Sequence, residues 1–138
     1  MIINAENLIL GRMGSRVVKK ALLGEKIDIV NCEKAVVTGS KKNVLFKARE
    51  KLEIGQPSKG IFVQRQPDRF VRRAIRGMLP YKQEKGRNAY SRIMCWIGVP
   101  EAFKGQKIET VAEADVSKVP NLKFVTVKDI CRHLGGKF

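Results

Sequence analysis

The sequence predicts one α/β domain built around a parallel sheet, and three observations carry that prediction. Short β-branched runs alternate with helix-length amphipathic runs, the order in which a helix carries the chain back to start the next parallel strand. The length of 138 residues is that of one ordinary domain. A domain of this size hides about 70% of the surface of its unfolded chain, enough to sustain a core. No internal repeat, low-complexity tract or linker divides the chain, so residues 1–138 read as a single unit.

The elements are expected in the following order. Ile2-Ile3 reads as a short first strand, and Asn7-Leu8-Ile9-Leu10 leads into a turn at Gly11-Arg12-Met13-Gly14. A helix from about Ser15 to Leu23 then puts Val17, Val18, Ala21 and Leu22 on one face and Arg16, Lys19 and Lys20 on the other, with Gly24 ending it. Ile27 to Asn31 and Ala35 to Thr38 are β-branched runs and read as strands. Ser40 is placed to cap a second helix reaching about Ile54, with Val44, Leu45, Ala48 and Leu52 inward and Gly55 closing it.

Gln56 to Gln66, which contains Pro57 and Gly60, has no period and reads as a loop. Pro67-Asp68 opens a third helix, about Arg69 to Leu79, that Pro80 terminates. A fourth is expected over Glu84 to Met94, and Cys95-Trp96-Ile97 fits either a strand or a helix end. Gly98 to Pro120 reads as loop, Lys123-Phe124-Val125 as a last strand, and Thr126 to Asp129 as the capping box of a final helix ending at Gly135-Gly136.

Charge is the unusual quantity. Twenty-eight Lys and Arg stand against thirteen Asp and Glu, a formal net charge of +15. Such self-repulsion weakens a small domain unless a partner neutralises it, and nucleic acid is the commonest such partner. Residues 41–92 hold fifteen basic and four acidic side chains, so +11 of the +15 lies there. No apolar run reaches the roughly 18 residues of a membrane span, and no secretory signal is visible, so no membrane partner is expected. Cys32, Cys95 and Cys131, odd in number and widely spaced, suit buried thiols in a reducing cytosol better than a disulfide framework.

Within the basic region, Arg69, Arg72, Arg73 and Arg76 fall at i, i+3, i+4 and i+7, inside an arc of roughly 100° on one helical face. Val71, Ile75, Met78 and Leu79 occupy the opposite face. Like charges at this spacing repel by a few tenths of a kcal/mol per pair, and a phosphate backbone relieves that cost because a guanidinium grips phosphate with two hydrogen bonds. A stripe of arginines alone is equally a solvated face. Lys41, Lys42, Lys59, Arg65, Lys82, Lys85, Arg87 and Arg92 flank it and favour the nucleic-acid reading. Tyr81 beside Pro80 is open to two readings: a platform for a stacked RNA base, or a packed ring with its hydroxyl at the surface.

Arg73-Ala74-Ile75-Arg76-Gly77-Met78-Leu79-Pro80-Tyr81-Lys82 closely resembles the signature of the universal family of the thirteenth large-subunit ribosomal protein. Asn4-Ala5-Glu6 with Leu10-Gly11-Arg12-Met13-Gly14-Ser15 is similar to that family's opening, and Asn31 through Gly39 to the end of its second helix–strand unit. Gly86-Arg87, Arg92-Ile93 and Gly98-Val99-Pro100 continue the match in order, so that it spans about residues 2 to 100 and is weakest over the last 40. The resemblance implies a three-layer α/β/α domain around a four-stranded parallel sheet, bound to large-subunit ribosomal RNA beside neighbouring large-subunit proteins in the cytoplasm. The bacterial branch carries an extra N-terminal piece and a His- and Gly-rich loop that this chain lacks. The short Lys59-Gly60-Ile61-Phe62 loop, Arg72-Arg73 and the absence of a long C-terminal helical extension favour the archaeal branch.

Weaker signals point elsewhere. Gly11-Arg12-Met13-Gly14 has the wrong spacing for either phosphate-loop fingerprint, although helix amides there, helped by Arg12 and Arg16, suit an RNA phosphate. Cys131 and His133 are two potential ligands without a second pair, so no metal is expected. No nucleophile–base spacing or paired carboxylates stand out, so no catalytic residue, cofactor or small-molecule substrate is assigned. The competing function is an RNA-modifying or nucleotide-using enzyme, which needs a pocket at the strand C-termini near Gly11 to Gly14 or Thr38 to Ser40.

Overall fold

In chain order the computed structural model contains β1 (Ile2–Asn4), α1 (Leu10–Leu22), β2 (Ile27–Val30), β3 (Val36–Thr38), α2 (Lys41–Glu53), α3 (Pro67–Met78), α4 (Glu84–Ser91), β4 (Ile93–Cys95), β5 (Ile108–Glu109), β6 (Phe124–Thr126) and α5 (Val127–His133). It describes residues 1–56 and 58–138, so Pro57, read above as part of a loop, lies outside the described residues.

Four strands form a wholly parallel sheet in the order β4-β2-β1-β5, with Ile3 opposite Ile29 and Ile29 opposite Cys95. The runs at Ile2-Ile3 and Ile27 to Asn31 supply its two inner strands. Its outer strands come from the junction between the fourth helix expected to reach Met94 and Cys95, which fitted either strand or helix end, and from within the expected loop Gly98 to Pro120. β4 is three residues long, too short to show a period beside the helix before it. β5 is two exposed residues and carries no alternation to read. The other two runs read as strands, β3 and β6, pair with each other instead, antiparallel, with Val36 opposite Thr126 and Thr38 opposite Phe124.

One sheet face is covered by helices. Ile3, Ile27, Ile29 and Ile93 are fully buried against Met13, Val17 and Ala21 of α1, Val71 and Ile75 of α3, and Ala89 of α4. Burying each such side chain stabilises the fold by about 1.5–3 kcal/mol. The opposite face carries Asp28, whose carboxylate accepts a hydrogen bond from the Trp96 indole at 3.1 Å. Phe103, in the 3-10 turn Glu101–Phe103, meets Trp96 edge-on at 6.0 Å between centroids. The three-layer α/β/α arrangement is therefore lopsided, with full helices on one side and a short turn on the other.

α1 begins at Leu10, five residues earlier than the sequence predicts, so Gly11-Arg12-Met13-Gly14 is helix rather than turn. Its second glycine serves packing: a Cβ on Gly14 would lie 2.8 Å from Met78 Sδ, so its absence lets α3 close on α1. Gly24, at φ +105°, follows α1 in the left-handed conformation expected of a helix terminator. α2 starts after Ser40 without a side-chain cap bond and has no fully buried residue. Val44, Leu45, Ala48 and Leu52 lie half-buried against Val125, Ile130 and Leu134. α5 follows β6 directly, with Thr126 Oγ accepting from the Asp129 amide at 3.2 Å. α4 ends at Ser91, three residues short of the expected Met94, because Ile93 enters the sheet.

Candidate nucleic-acid interface

α3 is opened by Pro67 at its first turn and carries its apolar residues inward, Val71 and Ile75 being fully buried. That packing fixes the direction of the arginines. Arg69, Arg73 and Arg76 are exposed and Arg72 is half-buried at the flank of the stripe. Asp68, the first-turn acid, turns one carboxylate oxygen inward, where it has no hydrogen-bond partner among the described residues. None of the four arginines is in an ion pair among the described residues.

The four guanidiniums are nevertheless not equivalent. Arg72 donates from Nε to the Ile93 carbonyl at 3.1 Å and stacks 4.4 Å above the Tyr90 ring centroid. Arg73 donates from Nη1 to the Phe62 carbonyl at 2.7 Å. Arg76 lies 5.1 Å over the Tyr81 ring, and Tyr81 meets Tyr90 edge-on at 5.3 Å. The result is a ladder, Arg72–Tyr90–Tyr81–Arg76, in which each cation is held over a negative ring face. Tyr81 is thus a packed ring as well as an exposed one, 40% accessible. Tyr90, missed in the sequence, is its counterpart, and the signal available was that both tyrosines of the chain follow the arginine helix within a dozen residues of its end.

The remaining basic residues fall into separate groups. Arg76, Tyr81 and Lys82 line one shallow groove at the C-terminal end of α3. Lys85 and Arg87 are exposed on α4. Arg92 is half-buried and donates to the Ala21 carbonyl at 3.4 Å, serving the end of α1. Lys41 and Lys42 are exposed in the first turn of α2, and Lys59 is exposed in the turn after it. Arg65 is exposed beside the C-terminal Gly135 and Gly136. Arg12, Arg16 and Lys19 share a groove on α1, but Arg16 is engaged by two hydrogen bonds to the Glu113 carboxylate. That contact holds the Glu113 carboxyl below the usual carboxylate range.

Of the two enzyme-like locations, Thr38 to Ser40 follows β3, outside the parallel sheet, and lines a groove beside α2, while Gly11 to Gly14 does not form a nucleotide-binding turn. The Gly11 to Gly14 segment is helical, with Met13 and Gly14 buried. Cys131 is buried while His133 on the same helix is exposed, so the two face apart. No group of three His, Cys, Asp or Glu side chains able to hold a metal occurs among the described residues.

A family model described as ribosomal protein L13 matches residues 1–102. The chain is 42% identical over 135 residues to large ribosomal subunit protein uL13 of Archaeoglobus fulgidus, covering 97% of this chain and 86% of that relative. It is 43% identical over 136 residues to uL13 of Methanopyrus kandleri, covering 97% of this chain and 86% of that relative. With uL13 of Methanosarcina barkeri it shares 42% identity over 138 residues, 99% of each chain.

Proposed function

The chain belongs to the ribosomal protein L13 family, and from that premise we propose that it is a structural constituent of the large ribosomal subunit that binds and stabilises large-subunit ribosomal RNA. It is not an enzyme; it is a scaffold of the translating particle in the cytoplasm, set among neighbouring ribosomal proteins. Residues 1–138 act as one RNA-binding domain. The observation that carries the RNA reading is the exposed face of α3, where Arg69 and Arg76 point outward with no acid partnering them among the described residues.

Arg69, Arg73 and Arg76 take phosphates directly, and Arg72 holds the ladder that aims Arg76 and Tyr81. Tyr81 and Lys82 extend the surface past the end of α3. Lys41, Lys42, Lys59, Arg65, Lys85, Arg87, Arg92, Arg12 and Arg16 add a diffuse field that draws folded RNA in, Arg92 and Arg16 with part of their donors already used. Contacts of this kind position an RNA and read its shape rather than its sequence.

The test is binding of the full chain to large-subunit ribosomal RNA across a salt series, beside sedimentation of the tagged chain from cells. Tight, strongly salt-dependent binding and migration with the large subunit are expected. A chain that binds the RNA no better than an uncharged control protein, or that sediments free of the subunit, overturns the proposal.

A further inference from the structure

α2 is the least embedded helix of the fold, and beneath it runs a groove of about 400 Å³. That volume lies within the roughly 300–1,000 Å³ of ordinary small-ligand sites. Its floor is apolar, built from Val37, Val44, Ala48, Val63, Phe70 and Ile130. Its rim is the α2 ridge Asn43, Lys47 and Lys51, residues four apart and so stacked on one side of the helix about 6 Å from one another. The acids of α2, Glu50 and Glu53, do not line the groove, and Glu53 is paired with Arg49 at 3.0 Å. Neither Lys47 nor Lys51 has an ion-pair partner among the described residues.

The groove does not stop at Lys51. Lys51, Val63 and Phe70 also line an adjoining depression that ends at Arg73 and Gly77 of α3. A single channel therefore leads from Ser40 at the start of α2 to the arginine face, with cations along it and the Phe70 ring at its midpoint.

We propose that this channel holds an unpaired stretch of RNA, with one extruded base in the apolar cavity under α2 and the flanking phosphates on Lys47, Lys51 and Arg73. The inference rests on the RNA-binding reading above and adds a second, single-strand site to it. An apolar floor accepts the face of any base, and an aromatic ring beside a cationic track is the usual means of holding single strands. Ser40 and Asn43 at the cavity's edge offer a hydroxyl and an amide to the base's polar rim. A peptide occupant would need acids to meet this rim, whereas an RNA strand brings a charge at every residue. Unpaired loops and bulges are also where proteins grip RNA bases, since duplexed bases are out of reach.

The test uses the full chain, fluorescein-labelled hexauridylate and hexaadenylate, and a blunt RNA duplex, read by fluorescence anisotropy at one salt concentration. Two variants address the two halves of the site: Lys47→Gln with Lys51→Gln for the phosphates, and Ala48→Met to fill the cavity. Each is expected to weaken single-strand binding by about tenfold while duplex binding changes by less than about threefold. Single-strand affinity that neither variant alters overturns the proposal, as does stronger displacement of the labelled strand by an acidic Glu–Leu peptide than by unlabelled RNA. If the wild-type chain binds the duplex and ribosomal RNA but neither single strand, the channel site falls and the ribosomal reading stands. If it binds no RNA at all, both fall together.

Discussion

The guanidinium of Arg72 sits 4.4 Å above the Tyr90 ring while its Nε donates to the Ile93 carbonyl, so this side chain ties α3 to α4 and to the sheet at once. Arg69, three residues earlier on the same helical stripe, is exposed and makes no such tie among the described residues. Two residues that look alike in sequence therefore play different parts.

Stability separates them. Arg72→Ala leaves a backbone carbonyl without its donor and removes a cation–π contact, and it should cost about 1–3 kcal/mol. Arg69→Ala, at an exposed position, should change stability by no more than about 0.5 kcal/mol. Urea denaturation followed by circular dichroism measures both, and equal costs would show that Arg72 is not a structural tie.

RNA binding should rank them the other way. Removing one phosphate-binding side chain lowers the slope of log K against log salt by about 0.7–0.9. Arg69→Ala and Arg76→Ala should each show that full decrement. Arg72→Ala should show clearly less once measured on folded protein, because part of its donor set is already committed. Filter binding across a salt series decides, and identical slopes for all three variants would refute the division.

Gly86 offers a test of the turn that carries Tyr81. It is buried, and a Cβ there would collide with the Pro80 carbonyl, a backbone atom that cannot swing aside. Gly86→Ala should destabilise the protein by about 2–3 kcal/mol. It should also displace Tyr81 from Arg76, seen as a change in tyrosine ring shifts by NMR. An unchanged melting temperature would mean that the turn accommodates the methyl group.

The thiols predict an alkaline weakness. Burial pushes the Cys131 thiol up to about 12, with nearby Asp68 adding to it. The Cys95 thiol is raised as well, by its hydrogen-bonding neighbour Cys32 and by burial. The unfolded chain's thiols ionise near pH 8.5, about where free cysteine does. In that state they release protons which the folded protein keeps, so this contribution to stability is complete below about pH 8.5 and declines as pH rises toward 12. Denaturation midpoints should fall between about pH 8 and pH 10. Ellman's reagent at about pH 8 should find the native thiols inert and all three reactive in denaturant; rapid native reaction would contradict their burial.

The arginine face of α3 was legible because a helix repeats every 3.6 residues, and the spacing of Arg69, Arg72, Arg73 and Arg76 states its own geometry. The inner strands were legible for the same local reason, as short runs rich in isoleucine and valine. β4 and β5 were not, since three and two residues are too few to carry a pattern and their pairing depends on segments far off in the chain. The same limit hid the state of the arginines. Arg16 meets Glu113 across 97 residues, and Arg72 meets Ile93 across 21. Tyr90 was passed over because nothing local distinguishes it until α4 folds back beside α3. Spacing along one helix reveals which side chains share a face, while their occupancy by distant partners emerges only from the fold.

The sheet's borders have a bearing on how the chain survives before it is assembled. Its outer strands are three and two residues long, and on one of them the Ile93 carbonyl is already taken by Arg72. Little free backbone is left there for a second copy to zip onto. Together with the net charge of +15, such short borders disfavour pairing between copies that have yet to meet their nucleic-acid host.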